Sequence, residues 1–223
     1  MRAGAPLPAA ALISGSGTNL QAVIDAVAAR LLPLDLRLVL SNRAGAFGLE
    51  RARRAGIRRV GAEIWNRAGG ELRAAYDERL LRAVCASGAQ LVLLLGWMHV
   101  LPASFIGAFE GVINIHPAYL PEDPQEDLVT LPDGSEIPAF RGANALREAI
   151  EAGVAWTGAT CHVVTPQVDR GPVLAREAVR LEPGESQAAA LERLHAVEHR
   201  VLVNGIARWC GARTPGFSTF STH

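Results

Sequence analysis

Short apolar runs alternate with amphipathic segments along most of the chain, and Gly, Ser or Asn residues separate them. A run that is apolar on both faces, such as residues 91–95, is typical of a central strand in a parallel sheet. The pattern predicts strands at residues 9–13, 34–40, 57–60, 91–95, 112–115, 158–164 and 173–179. With helices between them, these strands predict an α/β fold: a mostly parallel, twisted sheet with helices on both faces.

Helices are predicted where apolar residues recur every three or four positions. The first helix has an apolar face of four residues with this spacing: Leu20, Val23, Ile24 and Val27. The predicted helices cover residues 19–30, 47–55, 72–86, 142–152 and 186–209. The chain contains no internal repeat, so residues 1–223 are predicted to form a single domain, with a tail over residues 211–223.

The composition excludes several classes of protein. Hydrophobic residues make up 49% of the chain and charged residues 20%, a globular balance. Lys+Arg and Asp+Glu both count 22, which predicts neither a nucleic-acid partner nor a membrane partner. Every one of the positive residues is arginine, which excludes a lysine-based mechanism. The three cysteines are widely spaced and predict neither disulfides nor a metal site. The sequence has no recognisable secretory signal and no apolar run long enough to span a membrane, which predicts a cytoplasmic enzyme.

A glycine-rich turn at residues 15–19 joins the first predicted strand to the first helix. Glycines let a backbone approach an anion closely, and the first amides of a helix point at it with a favourable dipole. The turn therefore predicts a phosphate site, although many α/β proteins begin this way without binding anything. A dinucleotide fingerprint is excluded because it needs a glycine at Leu20 and an acidic residue at Ser41 or Asn42, and a Walker loop needs lysine.

Asn114 and His116 stand two positions apart at the end of the fifth predicted strand, so their side chains project to the same side. An amide beside a protonatable ring suits acyl transfer, in which negative charge grows on a carbonyl oxygen. By spacing alone, a polar strand end with a solvated histidine is the more ordinary interpretation. Asp169 lies in a turn-rich segment, where an aspartate is usually part of the turn itself.

Five motifs change this interpretation: ISGSGTNLQ (13–21), SNR (41–43), FGLERA (47–52), NIHP (114–117) and VDRGPV (168–173). In this order they resemble the phosphoribosylglycinamide formyltransferases of purine biosynthesis, from about Leu12 to Trp209. The Asn-x-His-Pro element is shared by folate-dependent formyltransferases, and the glycine loop with SNR is specific to the glycinamide ribonucleotide enzymes. The resemblance implies a Rossmann-like formyltransferase domain with a nucleotide-phosphate half at about 1–110 and a folate-binding and catalytic half at about 111–209.

The resemblance also implies roles for individual residues. Asn114, His116 and Asp169 match the catalytic residues of the family. The residues that match its substrate-binding positions are Gly17, Thr18, Asn19, Pro117 and Glu198. The residues that match its folate-binding positions are Arg73, Met98, His99, Val100, Leu101 and Asn114. His162 matches a further active-site histidine whose role stays open.

The implied reaction transfers the formyl group of 10-formyltetrahydrofolate, a co-substrate, to the amine of glycinamide ribonucleotide without a metal. The amine attacks the formyl carbon directly, while Asn114 and a charged His116 stabilise the oxyanion. Asp169 favours the imidazolium form of His116. These small molecules are the implied partners, and the chain is expected to be a monomer or a homodimer.

Two features depart from the family pattern. Residues 122–137 separate a Leu-Pro pair at 120–121 from the segment 138–142, contain six acidic residues and suggest a small hairpin. A surface insertion without a role is the ordinary interpretation, and a lid over the folate or a subunit contact is the alternative. His99 also stands where an arginine is common, so the folate pocket departs from the family more than the catalytic residues do.

The same sequence allows other functions. Residues 195–199 spell H-x-x-E-H, the inverted zinc-peptidase motif, but a catalytic zinc needs a third protein ligand, and this motif leaves Asn114 and His116 unexplained. Formyltetrahydrofolate hydrolase is a nearer alternative with an added N-terminal domain, and other formyltransferases extend beyond the core that this chain is expected to hold. A catalytically silent nucleotide-binding module is the remaining alternative.

Overall fold

The computed structural model describes residues 5–182 and 184–212. The strands within these ranges are β1 (Leu7–Ile13), β2 (Leu34–Ser41), β3 (Arg59–Ala62), β4 (Leu91–Leu95), β5 (Gly111–His116), β6 (Leu128–Thr130), β7 (Glu136–Pro138), β8 (Trp156–Val163) and β9 (Val173–Arg180). The helices are α1 (Thr18–Ala28), α2 (Phe47–Arg54), α3 (Arg73–Cys85), α4 (Ala103–Ile106), α5 (Ala145–Glu151) and α6 (Gln187–Ala212). Every predicted strand and helix is present, several with shifted ends.

Seven strands form one sheet in the order β3-β2-β1-β4-β5-β8-β9. The pairs from β3 through β5 are parallel, β8 runs antiparallel to β5, and β9 runs antiparallel to β8. The predicted α/β class with a mostly parallel sheet is therefore confirmed. The parallel order brings the carboxyl ends of β1, β4 and β5 to one edge, where such sheets bind ligands.

Two hydrophobic cores lie on opposite faces of the sheet. Ala9, Ala11 and Ile13 of β1 belong to the core that α1, α2 and α6 cover. Ala10 and Leu12, which point the other way, belong to the core that α3 and α4 cover. The prediction of helices on both faces is confirmed, and each fully buried Leu or Ile contributes about 1.5–3 kcal/mol to holding them there.

Some differences from the predicted elements have local causes. β3 begins two residues later than expected because the Ile57 N–H donates to the Ala52 carbonyl at 3.1 Å. This bond holds Ile57 against the end of α2 instead of in a strand. α4, a four-residue helix, gave no periodic signal. α6 continues through residues 211 and 212, so the predicted tail does not begin there, and residues 213–223 lie outside the described residues. No helix within 5–182 and 184–212 is long and apolar enough to cross a membrane.

The acidic insertion forms the predicted hairpin, from the antiparallel strands β6 and β7. Val129, Leu131 and Ile137 are buried and pack against a small group of neighbouring side chains: Tyr119, Phe140, Val154 and Trp156. The Trp156 Nε1–H donates to Asp133 Oδ2 at the tip of the hairpin (2.8 Å). Because it has its own apolar core, the hairpin has a defined position against the start of β8.

Candidate active site

A cavity of about 530 Å³ opens at the carboxyl edge of the parallel strands. Three lining segments follow or end strands β1, β4 and β5, namely residues 14–19, 94–101 and 114–117. His162, Asp169 and Glu198 line it from the second half of the chain. The volume is that of an ordinary small-molecule site, which typically measures about 300–1,000 Å³.

The glycine loop of this cavity is held from behind by α2. Gly17 has a positive φ of 73° just before α1, and a Cβ built on it would stand 2.5 Å from the Cα of Gly48. The Gly48 N–H donates to the Gly15 carbonyl (3.1 Å), and Arg51 Nε donates to the Ser16 carbonyl (2.9 Å). Among the described residues no side chain caps the start of α1, so its first amides are available to an anion.

Glu198 of α6 closes the other side of this loop. Asn19 Nδ2 donates to Glu198 Oε2 at 3.0 Å, and only 6% of Glu198 is exposed. Burial raises the pKa of the Glu198 carboxyl, while the Asn19 hydrogen bond and the nearby His195 lower it in part. A buried carboxylate beside a phosphate-type loop has lone pairs left to accept bonds from the hydroxyls of a sugar.

Replacing Glu198 by Gln should stabilise the protein near neutral pH. Because the folded pKa of Glu198 is raised, stability falls as the pH rises from the unfolded pKa through the folded pKa, and the neutral Gln removes this loss. We expect a melting temperature higher by about 2–4 °C for each kcal/mol recovered. Thermal melts across pH test this: the difference should vanish below about pH 4.3, the unfolded pKa. A variant less stable than wild type at neutral pH would contradict it.

The structure brings Asn114, His116 and Asp169 together. His116 is only 4% exposed, which excludes a solvated histidine. Its Nδ1 lies 3.4 Å from Asp169 Oδ2, and Asn114 Nδ2 lies 3.5 Å from Asp169 Oδ1. Asp169 reaches them from the connection between β8 and β9 with a φ of 52°, a left-handed conformation that is uncommon outside glycine. Such strained residues cluster at functional sites.

His162 joins the same network. It lies on β8 directly opposite Asn114 of β5. Its Nε2 is 3.3 Å from Asn114 Nδ2 and 3.4 Å from Asp169 Oδ1. Its Nδ1 lies 2.9 Å from the carbonyl oxygen of Val163, to which a ring N–H can donate, and this leaves Nε2 facing the amide and the carboxylate. The residue whose role the sequence left open therefore contacts two of the three predicted catalytic side chains.

The charges of the network follow from its surroundings. Burial raises the pKa of Asp169, but hydrogen bonding to His162, the nearby His116 ring and the Gly142 N–H outweigh it and lower the pKa to about 2. Burial lowers the pKa of His116, and the Asp169 carboxylate and the Phe140 carbonyl raise it in part. Asp169 is thus ionised at neutral pH, and the proton on His116 depends on this carboxylate. The charged resting form of His116 stays a prediction.

The residues predicted for the folate side fall into two groups. Met98, His99, Val100 and Leu101 line the cavity, whereas Arg73 does not line it and donates to the Val100 carbonyl. The ring of His99 is surrounded by three aromatic rings with centroids 5.4–6.2 Å away, those of Trp65, Tyr76 and Trp97. Arg73 supports the wall of the cavity, and its assignment to direct carrier binding stays a prediction.

Sequence reasoning missed two backbone groups of the site. His116 Nε2 lies 2.8 Å from the carbonyl oxygen of Phe140, and the Gly142 N–H donates to Asp169 Oδ2 at 2.7 Å. Both belong to the segment that the acidic insertion separates from the Asn-x-His-Pro motif. Pro117 and Thr18 line the cavity as expected, and so does Arg43, which was noted only as part of a motif.

The side chains of the H-x-x-E-H sequence have different surroundings. His195 lines the cavity, Glu198 binds Asn19, and His199 lies in a groove between α1 and α6. Within the described parts of the chain, no group of three or more His, Cys, Asp or Glu side chains is placed to hold a metal ion.

The family model described as formyl transferase matches residues 8–123 and 133–206. The chain belongs to the formyl transferase family. The resemblance in the motifs is thereby confirmed at the level of the family, and the stretch that the family model does not match, residues 124–132, lies within the inserted hairpin.

Named relatives of this formyl transferase include proteins of two sizes. The phosphoribosylglycinamide formyltransferase of Escherichia coli K12 is 35% identical over 191 residues, which cover 85% of this chain and 81% of that protein. The trifunctional purine biosynthetic protein adenosine-3 of Drosophila melanogaster is 36% identical over 208 residues, and the match covers 89% of this chain but only 14% of that protein. The structure of glycinamide ribonucleotide transformylase 1 from Symbiobacterium toebii superposes with a TM-score of 0.80 at 36% identity, covering 95% of this chain and 91% of that one.

Proposed function

We propose that this formyl transferase moves the formyl group of 10-formyltetrahydrofolate to the amine of glycinamide ribonucleotide. One observation carries the proposal: a loop suited to phosphate and the network of Asn114, His116 and Asp169 line the same cavity. The names of the relatives, phosphoribosylglycinamide formyltransferase and glycinamide ribonucleotide transformylase, support this choice of acceptor. We expect a cytoplasmic enzyme with one domain that acts on small molecules as a monomer or a homodimer.

The ribonucleotide is proposed to enter with its phosphate on the glycine loop. The amides of Gly17, Thr18 and Asn19 at the start of α1 would bind the phosphate oxygens, which the helix dipole also favours. Glu198, bonded to Asn19, would accept hydrogen bonds from ribose hydroxyls. The phosphate and the ribose are then both bound, and the amine at the other end extends towards the strand end of β5, where Pro117 lines the cavity.

The carrier is proposed to occupy the side lined by residues 98–101. Met98 and Val100 are exposed there at 51% and 63%, and Val168 faces the same cavity at 47% exposure. Large exposed apolar side chains around one opening are typical of a site for a flat aromatic ligand. The folate ring system has this chemistry, and its formyl group would lie next to Asn114.

The transfer step is proposed to be a direct attack. The amine nitrogen forms a bond to the formyl carbon, and the carbonyl electron pair moves to oxygen. The bond between that carbon and the folate nitrogen then breaks as the oxyanion collapses, and a proton passes from the amine to the folate nitrogen. Asn114 Nδ2 is 3.3 Å from His162 and 3.5 Å from Asp169, both long contacts, so its N–H groups can turn to the oxyanion at little cost.

His116 is proposed to stabilise the same charge once it is protonated. Both of its ring nitrogens face acceptors, the Asp169 carboxylate at 3.4 Å and the Phe140 carbonyl at 2.8 Å. An imidazolium can donate to both, and the nearby carboxylate favours this form against the cost of burial. Asp169 thereby keeps the ring of His116 positively charged beside the formyl oxygen, where this charge stabilises the oxyanion, and the pair with water can relay the proton to the folate nitrogen.

The decisive assay follows the absorbance of the folate with glycinamide ribonucleotide present and absent. We expect deformylation of the carrier only when the ribonucleotide is present, with the formylated ribonucleotide as the product. Glycinamide riboside, which lacks the phosphate, serves as the control and should show a KM raised by roughly 10- to 100-fold, the value of one or two charge-assisted hydrogen bonds. Equal turnover without any amine would contradict the proposal and identify a hydrolase.

A further inference from the structure

Two arginines adjoin Asp169: Arg141 contacts its backbone, and Arg170 follows it in the chain. Arg141 Nε donates to the Asp169 carbonyl at 3.2 Å, and the N–H of the next residue, Gly142, donates to the Asp169 carboxylate at 2.7 Å. The Arg141 side chain is 13% exposed and that of Arg170 is 26% exposed, so most of each side chain is covered by the protein.

The other hydrogen bonds of these two arginine side chains go to the inserted segment 124–127. Arg141 donates to the Glu126 carbonyl at 2.7 Å and to Asp127 Oδ1 at 3.0 Å. Arg170 donates to the Pro124 carbonyl at 2.8 Å and also pairs with Asp127. These acceptors belong to the stretch that the formyl transferase family model does not match.

The inserted segment also offsets a repulsion between the two arginines. Burial and the nearby charge of Arg170 lower the pKa of Arg141, and Asp127 and Asp169 act in the opposite direction. Without Asp127 and the carbonyls of Pro124 and Glu126, two like charges would stand side by side with unpaired donors. Buried donors without acceptors cost free energy, so the segment 124–127 is needed for the two arginines to stay where they are.

The segment itself is held independently of the site. At one end Glu122 pairs with Arg176 of β9 at 3.1 Å. At the other end the Asp127 carbonyl accepts from the Ala139 N–H at 2.8 Å, and the hairpin beyond it has its own apolar core. The position of segment 124–127 is therefore fixed by contacts outside the site, so the segment can hold the two arginine side chains in place.

We propose that the inserted segment 124–127 is a positioning element for Asp169, acting through Arg141 and Arg170. The inference rests on the proposed function, in which Asp169 controls the proton on His116. Asp169 has a left-handed φ of 52°, a conformation that costs free energy and lasts only where neighbouring groups hold it. Arg141 binds its carbonyl, and Gly142, next to Arg141, binds its carboxylate. Arg170, the next residue in the chain, is bonded to the inserted segment and so restrains Asp169 from its other side. Catalytic groups must be held to within a fraction of an ångström, which gives such a support its effect.

Replacement of Arg141 tests this first. Arg141→Gln should lower kcat by up to about 100-fold, the cost of a misplaced catalytic group, with both KM values little changed. Arg141→Lys keeps the charge but cannot span three acceptors, so it should stay defective. Glu122→Gln, the matched control, breaks the ion pair at the other end of the insertion and should keep wild-type kcat. Full activity in Arg141→Lys, or equal losses in Arg141→Gln and Glu122→Gln, would overturn the proposal.

The pH dependence of kcat separates positioning from loss of folded protein. Asp169 faces His116 from β5, His162 from β8, and Arg141 with the Gly142 N–H from the segment after β7. If Arg141→Gln displaces these partners, the pKa of Asp169 rises and the acid limb of the profile moves to higher pH. A variant that is merely less stable gives a lower profile of unchanged shape, which would also overturn the proposal.

Asp127→Asn is the second variant, because its side chain is 74% exposed and its loss does not threaten folding. We expect kcat to fall by roughly two- to fivefold, the range for an exposed ion pair. Combined with Arg141→Gln it should add no further loss, since both changes break one chain of contacts. If Arg141→Gln does not fold, the comparison of Asp127→Asn with Glu122→Gln decides alone, and equal kcat in both contradicts the proposal.

These outcomes differ from a failure of the proposed function. If wild-type protein does not formylate glycinamide ribonucleotide, that function is wrong whatever the variants do. The positioning of Asp169 can then be followed without turnover, by NMR titration of the His116 ring in wild type and Asp127→Asn. We expect a lower His116 pKa in the variant because the carboxylate moves away, and identical titrations would overturn the inference.

Discussion

Replacing Asp169 by Asn should lower kcat by roughly 10²–10⁴-fold while the fold and substrate binding stay nearly intact. Asn has almost the same shape, and its oxygen can still accept from the Gly142 N–H. What it lacks is the negative charge that opposes the effect of burial on His116. The ring then stays neutral at the pH of the reaction, and its Nδ1 no longer faces a carboxylate at 3.4 Å.

Steady-state kinetics with both substrates measure this effect, and circular dichroism reports on the fold. Asp133→Asn makes the same chemical change on the hairpin, where the aspartate binds Ser135 and Trp156 at a distance from the cavity. That control should keep wild-type kcat. Near wild-type turnover in Asp169→Asn would remove the role that we give to this carboxylate.

Replacing Gly171 by Ala should damage stability and turnover together. A Cβ at this position would stand 1.6 Å from the Val163 carbonyl oxygen and 2.8 Å from its carbonyl carbon. These are backbone atoms of β8, which cannot rotate away as a side chain can, so the connection between β8 and β9 must move. We expect the free energy of unfolding to fall by about 3 kcal/mol or more, beyond an ordinary overpacked side chain.

Turnover should fall in the folded fraction as well, because Gly171 is two residues from Asp169 and shares its connection. Chemical denaturation gives the free energy of unfolding, and kinetics corrected for folded protein give kcat. Gly211→Ala is the control, since nothing stands within 4 Å of a Cβ placed there and the position is helical. An alanine at 171 with wild-type stability would mean that the two strands are not packed as closely as described.

The sequence predicts most accurately the elements whose residues are all apolar and all buried. β4 was placed to the residue at both ends, because its five residues are all apolar and all buried. β3 was placed two residues early, since Ile57 looks like a strand residue but is bound to the Ala52 carbonyl at the end of α2. Apolar periodicity contains no information on such a competing hydrogen bond.

The site could be predicted where it is local in sequence. The glycine loop precedes a helix directly, and the two-residue spacing of Asn114 and His116 follows from strand geometry. Asp169 is 55 residues from Asn114, so only the family resemblance joined them. The roles of the Phe140 carbonyl and the Gly142 N–H could not be predicted from the sequence. Any residue type supplies these backbone groups, and an insertion separates them from the recognised motif.

The bond between Asn19 and Glu198 joins residues 179 positions apart. A chain emerging from the ribosome makes its glycine loop early and its partner on α6 among the last residues. Until α6 has packed, the side of the site that we propose for the ribose is incomplete, so the proposed ribonucleotide cannot stabilise an unfinished chain through Glu198. Ligand stabilisation acts only on the completed fold, and the enzyme must reach that state by its own hydrophobic packing.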